Sequence, residues 1–193
     1  MSAQTQSKKF YQRLQKKFSR KINLDRKRIN LALKKLDNIH NSISNPINIL
    51  GSDGKFSTLK SLQNFIETSG AKCSFFVSPH LKLVTERIWL KDRFISIEEL
   101  KKNIQIIKQL KVKLTLFELI SLAYYISAAK LKNVSYALVE AGLMFAGDST
   151  RVWDTPRCQI ICNINKQHLE WVKPKTLRAV CQQKVGYLSK KTT

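Results

Sequence analysis

The chain has 193 residues, enough for one ordinary domain with a buried core. Hydrophobic residues make up 43% of it and charged residues 25%, a balance that excludes the disordered class. No apolar run reaches the roughly 18 residues that a membrane-spanning helix needs, so the composition predicts a soluble globular protein.

The formal net charge of +22 is the most unusual property of the composition. Such a charge favours binding to nucleic acid, anionic lipid or another polyanion. The alternative is compositional drift at surface positions, because most of the excess is lysine scattered along the chain. Clustering occurs near the amino terminus, where Lys8–Lys35 holds twelve Lys or Arg against one acid, Asp25. This acid-poor start also has the composition of a transit peptide, but it runs directly into the predicted domain.

The four cysteines stand at wide, irregular spacings, at Cys73, Cys158, Cys162 and Cys181. Cys158 and Cys162 are four residues apart, but no second close pair completes a zinc site. Because the sequence also has no secretory signal pattern, we expect free thiols in a reducing compartment. This favours a cytoplasmic protein.

The amino-terminal part predicts helix followed by strand. Apolar residues near helical spacing indicate a basic helix over Lys8–Ile39, broken near residues 19–23. A loop rich in Ser, Asn and Pro follows at 41–46. The short apolar run Ile47–Leu50, which ends at Gly51, predicts a buried strand that leads into a glycine loop.

Helices and strands then alternate. An apolar face predicts a helix over Ser57–Ser69, closed by Gly70, and Cys73–Val77 predicts a second strand. A further helix is expected over Ser96–Leu110, because Ser96 is a good N-cap and two acids lie in its first turn.

The last predicted elements are an apolar helix over Leu114–Leu131 and strands over Val134–Val139 and Gln159–Asn163. Strands that alternate with long helices predict a three-layer α/β fold, with a mostly parallel sheet covered on both faces. Ligands of such sheets bind beyond the carboxyl ends of the strands. Because polar motifs follow these strands, the sequence favours a nucleotide site at that edge.

The glycine loop lies between a predicted strand and a predicted helix. Backbone N–H groups and a helix N-terminus there can face phosphate oxygens, and Lys55 adds a positive charge. The general phosphate-loop pattern does not match, because Ile49 stands at its first glycine position. The shorter Gly-x-x-Gly-Lys pattern that is present also suits a simple turn followed by a helix. We predict a nucleotide-binding loop formed by Gly51, Ser52, Asp53, Gly54, Lys55, Phe56 and Ser57.

This loop resembles the Gly-Thr-Asn-Gly-Lys-Gly-Ser loop of the folylpolyglutamate synthase / dihydrofolate synthase family. Members of that family are Mur-type amide ligases. Further stretches are similar to that family's Thr-Ser-Pro-His-Leu, Leu-Thr-x-Phe-Glu, Glu-Val-Gly-Leu and Glu-Lys-Ala-Gly motifs. They follow one another in the family's order and spacing, so the resemblance covers about residues 10–188. After the loop, the matching stretches are Ser78–Leu81, Glu86–Ile88, Leu114–Glu118, Glu140–Leu143, Asp148–Thr150, His168 and Gln183–Gly186.

The resemblance implies a P-loop-type topology and an ATP-dependent ligase that adds L-glutamate to folate through an acyl phosphate. Lys55 would contact the terminal phosphates of ATP. Ser78 and Glu140 would hold a first Mg²⁺ and His168 a second. Lys184 matches a lysine that the family carries as a carbamate, which makes it the catalytic candidate. The implied cofactors are ATP and Mg²⁺, and the implied substrates are folate and L-glutamate.

Several positions depart from the family's pattern. Phe56 replaces a loop glycine, which predicts ATP binding weakened by roughly 5- to 150-fold through backbone strain. The alternative is a small effect, expected where residue 56 has a helical backbone and its ring points into the core. Asp53 puts a negative charge in the loop, and Arg151 replaces an asparagine. We interpret His80 and Glu118 as structural or supporting residues.

Members of the family are much longer than this chain. The resemblance therefore implies a basic helical segment at 1–46, a truncated ATP-binding domain at 47–193 and an absent C-terminal glutamate-ligase domain. The chain would be a fragment or a degenerate copy, or a separate chain would supply the missing domain. The alternative is a catalytically inactive basic module that binds nucleic acid or an anionic surface on the same fold, although few aromatic residues lie in the basic segment.

Overall fold

A computed structural model describes residues 3–19 and 22–192. The helices are α1 (Ala3–Lys17), α2 (Lys27–Lys34), α3 (Lys55–Thr68), α4 (Ile97–Gln109), α5 (Leu116–Ala128) and α6 (Leu177–Val185). The strands are β1 (Pro46–Leu50), β2 (Cys73–Phe76), β3 (Ile88–Leu90), β4 (Arg93–Phe94), β5 (Tyr136–Glu140) and β6 (Cys158–Ile161). None of the helices in these two ranges is long and apolar enough to cross a membrane.

The strands form one six-stranded sheet in the order β4-β3-β2-β5-β1-β6. The pairs β2–β5, β5–β1 and β1–β6 are parallel, whereas β3 and β4 add an antiparallel edge next to β2. The prediction of a mostly parallel α/β sheet is therefore confirmed. The antiparallel edge was not predicted, because strands of three and two residues give too short a pattern to recognise.

Both faces of the sheet are covered, which explains why its central strands are apolar along their whole length. Leu138 of β5 packs in a cluster with Leu59 and Ile66 of α3. Its neighbours Ala137 and Val139 pack instead in the larger cluster that contains α4 and α5. Because successive strand residues point to opposite faces, these two clusters are the two sides of a three-layer structure.

The basic amino-terminal segment packs into the larger of these clusters. Leu14 of α1 and Ile29 and Leu33 of α2 are buried there with residues of α5. The predicted break in the basic helix is present, since α1 ends at Lys17 and α2 begins at Lys27. The second helix ends before the predicted Ile39, because the backbone turns left-handed at Asp37 and Asn38, with φ values of 51° and 50°.

Two helices begin with a reciprocal capping box, which fixes their start. The Ser96 hydroxyl accepts from the Glu99 backbone N–H at 3.1 Å, and the Glu99 carboxylate accepts from the Ser96 N–H at 2.9 Å. The predicted N-cap of α4 is therefore confirmed. Thr115 and Glu118 form the same arrangement at the start of α5. Helix α6, which Thr176 caps, was not predicted.

Removing buried volume from α5 tests this packing. Leu119 is fully buried, and we expect Leu119→Ala to lower the free energy of unfolding by about 2–5 kcal/mol. The matched control is Leu31→Ala, because Leu31 is 48% exposed and should cost less than about 1 kcal/mol. Urea denaturation of both variants measures the difference. Equal losses would contradict the assignment of α5 to the core.

Candidate nucleotide-binding site

The carboxyl ends of three parallel strands meet at one edge of the sheet. Ile49 of β1 lies opposite Glu140, the last residue of β5, and Phe76 of β2 lies opposite Val139. The glycine loop follows β1, and Ser78 follows β2 after one further residue. The strand register thus brings the loop, Ser78 and Glu140 together.

The loop after β1 is shorter than predicted. Residues 51–54 form the turn, and α3 already begins at Lys55, so residues 55–57 form the first helical turn. Gly51 and Gly54 have φ values of 142° and 82°, which disfavour other residues. A Cβ on Gly51 would also lie 2.9 Å from the Cβ of Cys162. The first N–H groups of α3, which lack helical partners, point toward this turn and suit an anion.

The loop is fastened to the segment that follows β6. The Ser52 N–H donates to the Asn163 carbonyl at 2.7 Å, and the Ser52 hydroxyl accepts from the Asn165 N–H at 3.0 Å. The Asp53 carboxylate accepts from the side-chain amides of Asn165 and, at 3.3 Å, of Gln167. The negative charge that Asp53 adds to the loop is therefore held by neutral amide donors.

Lys55 and Glu140 form the charged centre of the site. Lys55 Nζ donates to the carbonyls of Gly51 and Ser52 at 3.3 and 3.0 Å, and lies 3.9 Å from Glu140 Oε1. Glu140 Oε2 accepts from the Ser78 N–H at 3.0 Å. Burial raises the pKa of Glu140, whereas the Ser78 hydrogen bond and the charges of Lys55 and Arg87 act in the opposite direction.

Lys184 approaches the loop from α6 and is 3% exposed. Its ammonium group donates to the carbonyls of Gly51 and Leu143, both at 3.0 Å. Burial, and then the positive charge of Lys55, lower the pKa of Lys184 to about 8, although Asp148 acts in the opposite direction. The amine is therefore nearer to deprotonation at neutral pH than an exposed lysine.

His168 lines the same cavity as Lys55 and Ser78. It has a left-handed backbone, with a φ of 62°, and its imidazole lies 3.8 Å from the Glu170 carboxylate. The structure thus brings Lys55, Ser78 and His168 to one cavity, with Glu140 bonded to Ser78. Among residues 3–19 and 22–192, no group of three or more His, Cys, Asp or Glu side chains is arranged to hold a metal.

Glu140 and Ser78 are residue types that offer oxygen ligands to a hard cation. The Glu140 carboxylate and the Ser78 residue lie together, and a divalent ion that keeps several waters needs few protein ligands. Their predicted role at a first Mg²⁺ stays a prediction, in which the buried Glu140 carboxylate would be the anionic ligand. For His168, the structure gives its place on the cavity wall, and its predicted role at a second Mg²⁺ stays a prediction.

The cavity has a volume of about 420 Å³ and extends from the loop toward the amino-terminal segment. Its far wall is largely apolar and includes Ile22, Leu24, Phe117 and Leu143. These residues were not predicted as site residues, because apolar side chains in separate segments carry no pattern that indicates a shared cavity.

Two buried charged residues on this cavity were also missed. Arg87 donates to His80 Nδ1 at 2.9 Å and to the Tyr11 hydroxyl at 3.3 Å, so it links α1 to the segment after β2. Asp148 is fully buried, and burial raises its pKa to about 6. Both residues lie within stretches that match the family, and this was the signal that could have found them.

The residues interpreted as structural have structural partners. His80 accepts the hydrogen bond from Arg87. Glu118 caps α5 and also pairs with Arg28 at 3.0 Å. Neither arrangement requires a ligand.

Phe56 lies in the first turn of α3 and is 48% exposed. Its backbone is helical, a conformation that phenylalanine adopts without strain. The reason given for weak ATP binding, a backbone forced into a glycine conformation, is therefore wrong. The ring also does not line the cavity.

Two curated relatives match the sequence, whereas no protein-family model does. A dihydrofolate synthase/folylpolyglutamate synthase of Haemophilus influenzae is 27% identical over 176 residues, which cover 90% of this chain and 39% of the relative. One of Bacillus subtilis is 25% identical over 148 residues, covering 72% of this chain and 34% of the relative. Both relatives are dihydrofolate synthase/folylpolyglutamate synthases, so the sequence is similar to members of that family over most of its length.

Solved folylpolyglutamate/dihydrofolate synthases share the fold. The Yersinia pestis enzyme complexed with AMPPNP and Mn superposes with a TM-score of 0.80 at 22% identity, covering 91% of this chain and 42% of that one. The Escherichia coli enzyme in complex with DHPP and ADP gives 0.79 at 20% identity, covering 91% and 42%. The chain therefore spans about two fifths of the synthases that it matches.

The pKa of Lys184 predicts how stability depends on pH. Because the folded-state value of about 8 lies below the usual 10.5, the unfolded chain holds the proton more tightly between these values. The contribution of Lys184 to stability should rise by roughly 1–3 kcal/mol from pH 8 to 10.5 and stay constant below pH 8. We would measure unfolding free energies of the parent chain and Lys184→Met in bicarbonate-free buffer.

The matched control for this measurement is Lys72→Met, because Lys72 is exposed. The difference between the parent and this control should not change with pH. A Lys184→Met difference that is equally flat would show that the ammonium is solvated in the folded chain.

Phe56 gives a second prediction. Since its backbone is already helical, Phe56→Gly should change the dissociation constant of magnesium-ATP by less than about threefold. The same change should lower the free energy of unfolding by about 1 kcal/mol, because glycine is a poor helix residue. Calorimetry of the parent and the variant measures the first quantity. Binding that appears only in the glycine variant would mean that the ring obstructs the nucleotide.

Proposed function

We propose that this chain provides the ATP-binding part of a folate ligase of the folylpolyglutamate/dihydrofolate synthase type. In this reaction ATP phosphorylates a carboxylate of the folate, and the amine of L-glutamate attacks the resulting acyl phosphate. An amide forms and phosphate leaves. The observation that carries the proposal is the buried Glu140 carboxylate, held between the Ser78 N–H and the Lys55 ammonium beside a glycine loop.

ATP would bind with its phosphates at the loop. The N–H groups at the start of α3 and the ammonium of Lys55 would neutralise the phosphate oxygens. Lys55 now donates to two loop carbonyls, so binding would exchange these bonds for phosphate oxygens. Phosphoryl transfer needs mainly position and charge neutralisation, which these groups supply.

Mg²⁺ is the metal that we assign to Glu140 and Ser78, with His168 assigned to a second ion. The Mn bound by the Yersinia pestis synthase supports a divalent cation in this family. When bound, such an ion neutralises charge on the phosphates of ATP. Glu140 would contribute a buried carboxylate. Burial raises the pKa of this group, and the nearby Lys55 acts in the opposite direction.

Lys184 is the candidate for a carbamate. Carbon dioxide reacts with a neutral amine, and a pKa of about 8 leaves roughly a tenth of the amine neutral at pH 7. The product would be an acidic group in place of a cation, whereas the ammonium donates to two carbonyls at 3.0 Å in this structure. Those contacts would have to rearrange, because two carbonyls repel a carboxylate.

The acid substrate would occupy the cavity of about 420 Å³ beside the loop. Its largely apolar far wall suits a flat ring system, and its loop end would hold the reacting carboxylate near ATP. The DHPP bound by the Escherichia coli synthase supports a ligand of this kind in the family.

We place the ATP-binding domain at 47–193 and the basic helical segment at 1–46. The glutamate-binding function would belong to a C-terminal domain that these residues do not include, in the same protein or in a separate chain. We place the protein in the cytoplasm, where ATP and free thiols are both maintained.

Magnesium-ATP binding tests the proposal. We expect Lys55→Ala to weaken it by about tenfold or more, because a charge-assisted contact to phosphate is lost. Glu140→Gln should reduce the enhancement of ATP binding by Mg²⁺, since it removes the anionic ligand. Lys72→Ala, which changes an exposed lysine outside the site, is the control and should bind like the parent.

Calorimetry with and without Mg²⁺ measures these effects. If Lys55→Ala and the control bind ATP equally, the nucleotide site is elsewhere or absent. Binding of random-sequence nucleic acid that falls steeply with salt, without any ATP binding, would favour the basic module instead.

A further inference from the structure

Arg87 is a buried cation on the wall of the cavity beside the glycine loop. It lies directly before β3, is 7% exposed, and lines the cavity together with Ser78 and Lys55. Its backbone carbonyl accepts from the Val77 N–H at 2.9 Å, which fixes it beside the segment that follows β2. ATP binding at the loop does not use this residue, although burying a guanidinium is costly.

Two neutral side chains hold the guanidinium of Arg87 in one orientation. Its Nε donates to His80 Nδ1 at 2.9 Å, and its Nη2 donates to the Tyr11 hydroxyl at 3.3 Å. The guanidinium also lies 5.6 Å from the centre of the Tyr11 ring. Burial, and then the charge of Arg87, lower the pKa of His80, so the imidazole is neutral at pH 7 and its Nδ1 can accept. Neither partner neutralises the positive charge.

No carboxylate in the described ranges forms an ion pair with Arg87. The charge of Glu140 acts on it, but Glu140 is bonded to the Ser78 N–H and lies 3.9 Å from Lys55. Arg87 Nη1 donates to no residue that the structure describes, and it retains accessible surface. Because Arg87 and Tyr11 both line the cavity, this donor is available to an anion there.

The strand order separates Arg87 from the phosphate loop. The start of β3 lies at the carboxyl end of β2, because these two strands are antiparallel. The order β3-β2-β5-β1 then puts three strand spacings, about 14 Å, between the start of β3 and the end of β1. Lys55 therefore serves an anion at the loop, and Arg87 serves one beyond Ser78. In the proposed reaction, the group beyond the terminal phosphate of ATP is the acceptor carboxylate.

We propose that Arg87 binds the acceptor carboxylate of the acid substrate and holds it toward the terminal phosphate of ATP. This role rests on the proposed function and assigns the residue that recognises the reacting group of the substrate. A guanidinium binds carboxylate oxygens through directed, charge-assisted hydrogen bonds. Its charge also reduces the repulsion between the carboxylate and the phosphates. His80 and Tyr11 are positioning residues that act through Arg87.

The test compares two ligands that differ at one group. Pteroic acid carries a single carboxylate on its benzoyl ring, and its carboxamide is the neutral match. Each is titrated into the full chain, and binding is followed by the fluorescence of the pterin ring. The parent should bind the acid at least about tenfold more tightly than the amide, because only the acid forms a charge-assisted contact with the guanidinium.

Arg87→Gln should reduce this preference for the acid to less than about twofold. Arg87→Lys keeps the charge but lacks the planar donors, so it should lower the preference by about threefold and serves as a second variant if glutamine disturbs folding. The matched control is Arg157→Gln, because Arg157 is exposed and lies at the amino end of β6. The control should keep the preference of the parent. A purely structural arginine would instead weaken the binding of both ligands equally.

Magnesium-ATP binding separates this role from the proposed function. Arg87→Gln should bind magnesium-ATP within about threefold of the parent. A parent that binds ATP without preferring the acid, or a folded arginine variant that keeps the full preference, would overturn the role of Arg87 alone. So would a folded Arg87→Gln that has lost ATP, since Arg87 would then act on the nucleotide. A parent that binds neither ATP nor pteroic acid would overturn the proposed function as well.

Discussion

The position of β5 between β1 and β2, with all three strands parallel, is the constraint on which the candidate site depends. It places the last residue of β5, Glu140, between the glycine loop and Ser78. A buried carboxylate at this point would be costly if it stood alone. The Ser78 N–H and the Lys55 ammonium offset that cost, and they are available because the same register brings them there. The strand register therefore creates the charged centre, and the charged centre offsets the cost of burying Glu140 at the end of β5.

The second constraint is the attachment of the loop to β6 and the residues after it. Gly51 has no space for a side chain against Cys162, and Ser52 and Asp53 are bonded to residues 163–167. Lys184 adds a bond to the Gly51 carbonyl from the opposite direction. A loop held in this way keeps its N–H groups in position before a ligand arrives, which lowers the conformational cost of binding. The same segment leads directly to His168.

The two ends of the parallel strands differ in whether nearby positive charges have partners within the protein. At the carboxyl ends of the strands, Lys55 has Glu140 and two carbonyls as partners, so its charge is compensated within the chain. Near the amino ends of the strands, one nitrogen of Arg26 and one of Arg151 are buried without a hydrogen-bond partner among residues 3–19 and 22–192. Most other lysines lie on the surface, where their charge is solvated.

The sequence by itself determined the alternation of strands and helices and the polar residues that end the strands. Buried parallel strands are apolar throughout, and caps such as Ser96 act on their own helix, so both can be recognised locally. Glu140, Ser78 and Lys55 could be selected because each closes or follows such an element and because the stretches that contain them resemble a known family's motifs. The tertiary structure decided what depends on distant partners: the short β3 and β4, the helical backbone of Phe56, and the amide partners of Asp53.

The apolar wall of the cavity is a further feature that only the tertiary structure decided. A side chain's surroundings come from segments far apart in the chain. Local propensity and hydrophobic pattern hold no information on which segments will meet.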